Sequence, residues 1–294
     1  MPDPAQTLKI FQPSKEFFIG IDSDGCVFDS MEIKHKECFT PMFIKHFGLQ
    51  AASKYAREVW EFVNLYSTSR GCNRFQAINR ALNLFRNRPE TLARNVDVPT
   101  FPELDEWLET ESELSNDTLY AEINNGNDAL IPIRKWSDAV NIQVENIAQG
   151  VPPFPLVYET LEKMATLADC IVISQTPTIV LEREWSECNL QQFVKLIAGQ
   201  EMGTKTQHLK YTTREKYETG KTLMIGDAPG DQKAAAENNT LFYPINPGNE
   251  EACWNRLHNE ALERFFLGTY AGEFQDKLIS EFQACLPETP PWQQ

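Results

Sequence analysis

The chain has 294 residues, of which 41% are hydrophobic and 23% charged, and its formal net charge is -15. That length holds two domains, or one domain with a large insertion, and the composition is ordinary for a folded protein. The acidic balance argues against a nucleic-acid partner, and it means that any anion site must be built from local cations.

Seven scattered cysteines form no CxxC pair, so neither zinc nor a disulfide framework is expected, and reduced thiols in a cytoplasmic setting are the simpler account. The opening Met-Pro-Asp-Pro-Ala-Gln lacks the basic and apolar regions of a signal peptide, and no apolar run is long enough to span a bilayer. No membrane partner is expected.

In chain order, residues 1–16 read as a loose lead-in with three prolines. The run Phe17-Phe18-Ile19-Gly20-Ile21 is short and apolar, as a strand buried on both faces would be. It ends abruptly in Asp22-Ser23-Asp24-Gly25. Helical spacing follows over 31–47, 52–65 and 75–85, separated by the polar break Ser67 to Arg74. An acidic helix is expected over 103–114 and another helix over 129–149, interrupted near Pro132. Three prolines in Pro152-Pro153-Phe154-Pro155 mark a linker. Beyond it the texture alternates. A helix over 156–167 precedes a strand at Cys170–Ile173, and further strands are expected at 193–198, 222–225 and 241–243. Thr176-Pro177 has the form of a helix cap followed by proline. The tail from Pro287 is expected to be poorly ordered.

Strands alternating with helices imply a parallel sheet with right-handed crossovers. The expected fold is therefore α/β: a Rossmann-like parallel sheet core with helices on both faces and an inserted all-helical cap. The core would comprise 1–33 and 151–294, and the cap 34–150.

Carboxylates at Asp22 and Asp24, at the carboxyl end of a buried strand, lie where open α/β sheets bind ligands. Paired carboxylates suit a hard cation such as magnesium. Two other strands end in polar residues: Ile171-Val172-Ile173 in Ser174-Gln175-Thr176, and Leu223-Met224-Ile225 in Gly226-Asp227-Ala228-Pro229-Gly230-Asp231. Between them lies Gly203-Thr204-Lys205-Thr206. A hydroxyl, backbone N–H groups and a lysine can hold phosphate oxygens, and Asp227 with Asp231 can complete a cation site with Asp22.

In order and spacing this set resembles the haloacid dehalogenase-like (HAD) hydrolase superfamily. Asp22-Ser23-Asp24-Gly25 resembles the first motif, Ser174 the second, Lys205 the third, and Gly226-Asp227 with Asp231 the fourth. The spacing is similar to that of the helical-cap branch, which includes phosphoglycolate phosphatases and β-phosphoglucomutases. Lys210 is a rival for the third motif, and Thr206 stands where the family often has proline. The resemblance covers the sheet domain and weakens in the insertion and beyond about residue 245.

The resemblance implies a magnesium-dependent phosphohydrolase acting on a small phosphorylated metabolite, with Mg2+ as cofactor. Asp22 would be the nucleophile, forming an aspartyl-phosphate, and Asp24 the general acid and then base. Ser174 and Lys205 would hold phosphoryl oxygens, and Gln175 would join them at the substrate. The metal would lie on the side chains of Asp22 and Asp227 and the carbonyl of Asp24, with Asp231 in a supporting role. A phosphomutase of the β-phosphoglucomutase type, or a HAD-like binding protein without activity, stays open. Asp24 argues against halide displacement, which needs no acid. The break at 66–74 matches the position of the branch's specificity loop, so Arg70 and Arg74 are expected to bind substrate, or else to pair with acidic residues of the cap.

Overall fold

Five apolar runs become strands in the computed structural model, which describes residues 3–293. They are β1 (Phe17–Ile21), β2 (Ala168–Ile173), β3 (Leu196–Ala198), β4 (Thr222–Gly226) and β5 (Leu241–Pro244). All pair in parallel, in the order β3-β2-β1-β4-β5. Parallel neighbours cannot be joined by a hairpin and need crossovers. The helices Thr178–Glu187, Lys205–Thr213 and Pro229–Glu237 supply them between successive strands from β2 to β5.

Both faces of β1 are covered, which is why its sequence does not alternate with polar residues. Ile19 and Ile21 join one cluster with Leu161, Met164, Leu181 and Trp185. Phe18 points the other way and packs against the ring of Tyr217 at 5.5 Å. The chain steps outward from β1 to β2 and β3, then returns to the far side of β1 as β4 and β5. The strand order thus reverses between β1 and β4, and the crevice beyond their carboxyl ends is where such sheets bind ligands.

The chain divides into two compact units. One runs up to Ser30 and resumes over Gly150–Cys285, and it holds the sheet. The other is Met31–Gln149 together with the tail from Leu286. It is built of helices around stacked aromatics, with Phe43 5.0 Å from Trp60, and Trp60 edge-on to Trp136 at 5.7 Å. The tail from Leu286 groups with the helices and not with the sheet.

Several local expectations change. The tail is tied down: the Trp292 ring packs edge-on against Phe62, the Arg88 guanidinium lies 4.3 Å over it, and Thr68 N–H donates to the Pro287 carbonyl. The lead-in contains a helical turn, Gln6–Ile10, with Leu8 buried and the Lys216 ammonium on the carbonyls of Leu8, Lys9 and Phe11. Pro132 opens the helix Ile131–Ile147 and does not interrupt it, because a first-turn residue has no intrahelical N–H bond to lose. The expected strand over 193–198 shortens to β3 after a 3-10 turn at Gln191–Phe193.

Beyond residue 245 the chain is an integral part of the sheet unit. The Tyr270 hydroxyl donates to the Phe242 carbonyl, and the Trp254 indole donates to the Cys26 carbonyl just after the Asp22–Gly25 turn. No helix among the described residues is long and apolar enough to cross a membrane.

Candidate active site

The three central strands are each followed by a polar residue: Asp22, Ser174 and Asp227. Asp22 follows β1 directly, and its N–H donates to the Ile225 carbonyl of β4 at 2.9 Å, so the main chain fixes where the carboxylate emerges. Asp227 follows β4 in the same way. Ser174 follows β2, its N–H held by the Ala198 carbonyl of β3 at 3.0 Å. Asp22, Ser174 and Asp227 are all buried.

Lys205 is the first residue of the helix Lys205–Thr213, whose start is fixed by a reciprocal cap between Thr204 and Gln207. Its Nζ lies 2.6 Å from Asp22 Oδ2 and 2.6 Å from Asp231 Oδ1. Lys210, one turn on, is exposed. The structure therefore puts Lys205, and not Lys210, at the carboxylates. Asp231 is fully engaged, since its Oδ2 also accepts the Ala228 N–H at 3.1 Å. Gly226 permits this approach: a Cβ there would lie 2.5 Å from Asp231 Cβ and Cγ. Asp231 thus holds the Lys205 ammonium through the ion pair at its Oδ1.

Asp22, Asp227 and Asp231 bring carboxylate oxygens within 4.8 Å of one another, and all three are buried. Three carboxylates against one ammonium leave an excess of buried negative charge. Burial raises the Asp22 carboxyl well above the usual carboxylate range, and the charges of Asp231 and Asp227 add to the rise while Lys205 opposes it. Asp231 is also raised by burial, with Lys205 again opposing. Burial works to lower the Lys205 ammonium, but Asp22 and Asp231 outweigh it and raise the group above its ordinary range. A site of this composition is short of positive charge, and a divalent cation with oxygen preference fits the donor set of Asp22, Asp227 and Asp231.

Asp24 is half-buried and has a different environment from Asp22. Its Oδ1 accepts from the Ser30 hydroxyl, and its Oδ2 accepts from Thr176 Oγ1 at 2.7 Å. Thr176 was expected to cap a helix. In the structure Pro177 occupies the cap position of Thr178–Glu187, and the Thr176 hydroxyl serves Asp24 instead. No local pattern could show this, because the contact joins the ends of two strands separated by the whole insertion. Ser23 serves the packing of the sheet unit, its hydroxyl accepting the Trp185 indole N–H at 3.0 Å. Burial followed by the nearby carboxylates raises the Cys26 thiol well above its ordinary value, so it is no nucleophile.

The expected substrate-binding residues find other partners. Gln175 Nε2 donates to the Gly203 carbonyl at 3.0 Å, which ties the β2 end to the turn carrying Lys205. Arg70 is buried, and its guanidinium donates to the Leu65 carbonyl at 2.9 Å. Ser69 Oγ donates to the Val63 carbonyl at 2.6 Å. Ser69 and Arg70 thus satisfy carbonyls left open at the end of the helix Ser53–Asn64, a need every helix end has. Arg74 donates to Ser137 Oγ at 3.1 Å and to Asn141 Oδ1 at 2.6 Å, with its guanidinium over the Phe39 ring. These contacts give both arginines a part in holding the helical unit together.

No protein-family model matches the chain, and no curated protein matches it. Solved structures do show similarity. A protein of Bacteroides vulgatus, provisionally named a β-phosphoglucomutase, is similar over 87% of this chain and 92% of its own, at 13% identity and a TM-score of 0.48. A protein of Lactobacillus delbrueckii subsp. bulgaricus, provisionally named a phosphoglycolate phosphatase, matches over 83% and 92%, at 14% identity and a TM-score of 0.47. A HAD-superfamily hydrolase of Geobacter sulfurreducens matches over 80% and 90%, at 14% identity and a TM-score of 0.40. Likeness of this degree assigns no activity and no residue role. The parallel order of the sheet stands on its own strand pairing.

Proposed function

We infer that the chain is a magnesium-dependent phosphohydrolase that acts on a small phosphorylated metabolite through an aspartyl-phosphate on Asp22. The observation that carries the reading is a buried carboxylate at the switch point of the sheet, held 2.6 Å from the Lys205 ammonium, with a second acidic group two residues on in separate surroundings. Two carboxyl groups with different environments are what separate nucleophile and proton-donor roles require.

In this reading an Asp22 oxygen attacks phosphorus while Asp24 gives its proton to the leaving oxygen. Lys205 and Ser174 hold phosphoryl oxygens, the ammonium kept charged by Asp22 and Asp231. Water then attacks phosphorus, Asp24 takes its proton, and Asp22 is regenerated. Magnesium, when bound, supplies the positive charge that lets a carboxylate approach a phosphoryl group. Asp22 and Asp227 would hold it, with the Asp24 carbonyl as a further ligand.

The resemblance of Asp22–Gly25, Ser174, Lys205 and Asp227 to the HAD motifs supports the same chemistry. The test is release of inorganic phosphate from a panel of phosphorylated metabolites, with and without magnesium. Magnesium-dependent release from at least one member is expected. Conversion of a sugar phosphate to its isomer without net release would favour a phosphomutase. Inertness toward the whole panel and toward a nitrophenyl phosphate would refute phosphoryl transfer altogether.

A further inference from the structure

The chemistry above uses Asp24 but says nothing of what aims it. We propose that Thr176 is a positioning residue for Asp24, setting the direction of its carboxyl group and stabilising the carboxylate left after proton donation. The inference rests on the phosphohydrolase reading and adds to it a residue that the four motifs do not include.

The geometry is specific. Thr176 Oγ1 donates to Asp24 Oδ2 at 2.7 Å, and the Ser30 hydroxyl donates to the other oxygen. A hydroxyl donor on each oxygen fixes the rotation of the carboxyl plane.

Thr176 is itself well anchored. Its N–H donates to Ser174 Oγ at 3.2 Å, and its carbonyl accepts the Gln200 N–H at 3.1 Å. The segment after β2 also lies tightly against the segment after β3. A Cβ on Gly199 would come within 2.7 Å of the Thr176 carbonyl and 2.4 Å of Thr178 Oγ1. A hydroxyl on so constrained a backbone can orient a partner, where one on a loose loop would follow it.

The step can be written in full. As the Asp22 oxygen bonds to phosphorus, the bond from phosphorus to the leaving oxygen breaks and its electron pair stays on that oxygen. Asp24 gives the oxygen its carboxyl proton and becomes a carboxylate. The donated bond from Thr176 is stronger to that carboxylate than to the neutral acid, so it favours the transfer. Water later returns a proton to Asp24 as its oxygen bonds to phosphorus and the Asp22–phosphorus bond breaks.

The consequence is selective. Proton donation matters most when the leaving oxygen is a strong base, as in an alkyl phosphate, and least for a nitrophenyl phosphate. The experiment measures kcat/KM for one phosphate of each kind, in the unaltered protein and in Thr176→Val, Thr176→Ala and Thr176→Ser, with thermal melts for each. The alkyl-to-aryl ratio of kcat/KM is expected to fall by about tenfold in the valine and alanine variants, within the range a proton donor contributes. Serine, which keeps the hydroxyl, should restore most of it. The alanine variant carries the test if valine does not fold. An unchanged ratio, or a fall that serine does not rescue, overturns the proposal. Failure of the unaltered protein to cleave either phosphate would instead overturn the phosphohydrolase reading on which it rests.

Discussion

The two units use their polar side chains differently. In the helical unit the buried and half-buried arginines close helix ends and bridge neighbours: Arg70 on the Leu65 carbonyl, Arg74 on Ser137 and Asn141, and Arg88 between Glu58 and Glu90. In the sheet unit, Asp22, Asp227 and Asp231 crowd within 4.8 Å of one another around a single lysine. Burial and mutual repulsion raise Asp22 there, so that cluster costs folding free energy. Buried charge that stabilises its own scaffold reads as structure. Buried charge that destabilises the scaffold reads as function.

Metal removal should break that contrast most sharply. Excess chelator should abolish phosphate release, and magnesium should restore it. Calcium should not, because its larger and looser shell misplaces the nucleophile. The helical unit should be indifferent, so the melting transition in chelator should keep its cooperativity. Full activity in chelator would refute the metal site.

A carboxylate at the opposite end of the sheet sharpens the comparison within one unit. Asp169 of β2 is buried but accepts from the Ser14 N–H and hydroxyl, the Lys15 N–H and the Tyr217 hydroxyl. Burial alone would raise its pKa, yet these bonds outweigh it and lower it. Asp169→Ala should destabilise the protein by about 2–4 kcal/mol, as loss of a buried charged network does. Its kcat per folded molecule should stay the same. A stable variant with impaired turnover would contradict this division.

Arg74→Ala should cost about 0.5–1.5 kcal/mol of stability, since it removes the donor shared by buried Ser137 and exposed Asn141. Rates on a natural substrate and on a small aryl phosphate should change in equal proportion. A selective loss on the natural substrate would bring back the substrate-binding role.

The smallest effect is one of slope. His208, one turn after Lys205, is fully buried with neither ring nitrogen hydrogen-bonded. Burial, with the Lys205 charge behind it, lowers its pKa from 6.5 to about 4. The unfolded chain therefore binds this proton more readily, and stability should fall as pH drops from 6.5 toward about 4. His208→Leu should flatten that part of the curve, and an unchanged slope would show that the imidazole is not held neutral.

The sheet was legible because a strand buried on both faces is largely apolar, although β2 also carries the buried Asp169. Asp22, Asp24, Ser174 and Asp227 could be picked out as candidates because each stands just after a strand, and Lys205 because it opens the helix that follows β3. What the sequence did not show was long-range. Thr176 serves an aspartate on another strand, and Trp254 holds the Cys26 carbonyl from the last third of the chain. The break at 66–74 was ambiguous for a related reason. A segment that closes a helix end and a loop that meets a ligand use the same polar residues, and Arg70 and Ser69 do close the end of the helix Ser53–Asn64.

The central claim is that Asp22 is costly to the fold and indispensable to the chemistry. The direct measurement is a paired one on Asp22→Asn: phosphate release, and free energy of unfolding in denaturant. Turnover should fall by about 10^4-fold or more, as loss of a nucleophile does. Stability should be equal to or greater than that of the unaltered protein, because a buried charge of raised pKa has been made neutral at nearly constant volume. A variant that keeps appreciable turnover, or one that loses activity only because it unfolds, would contradict the account.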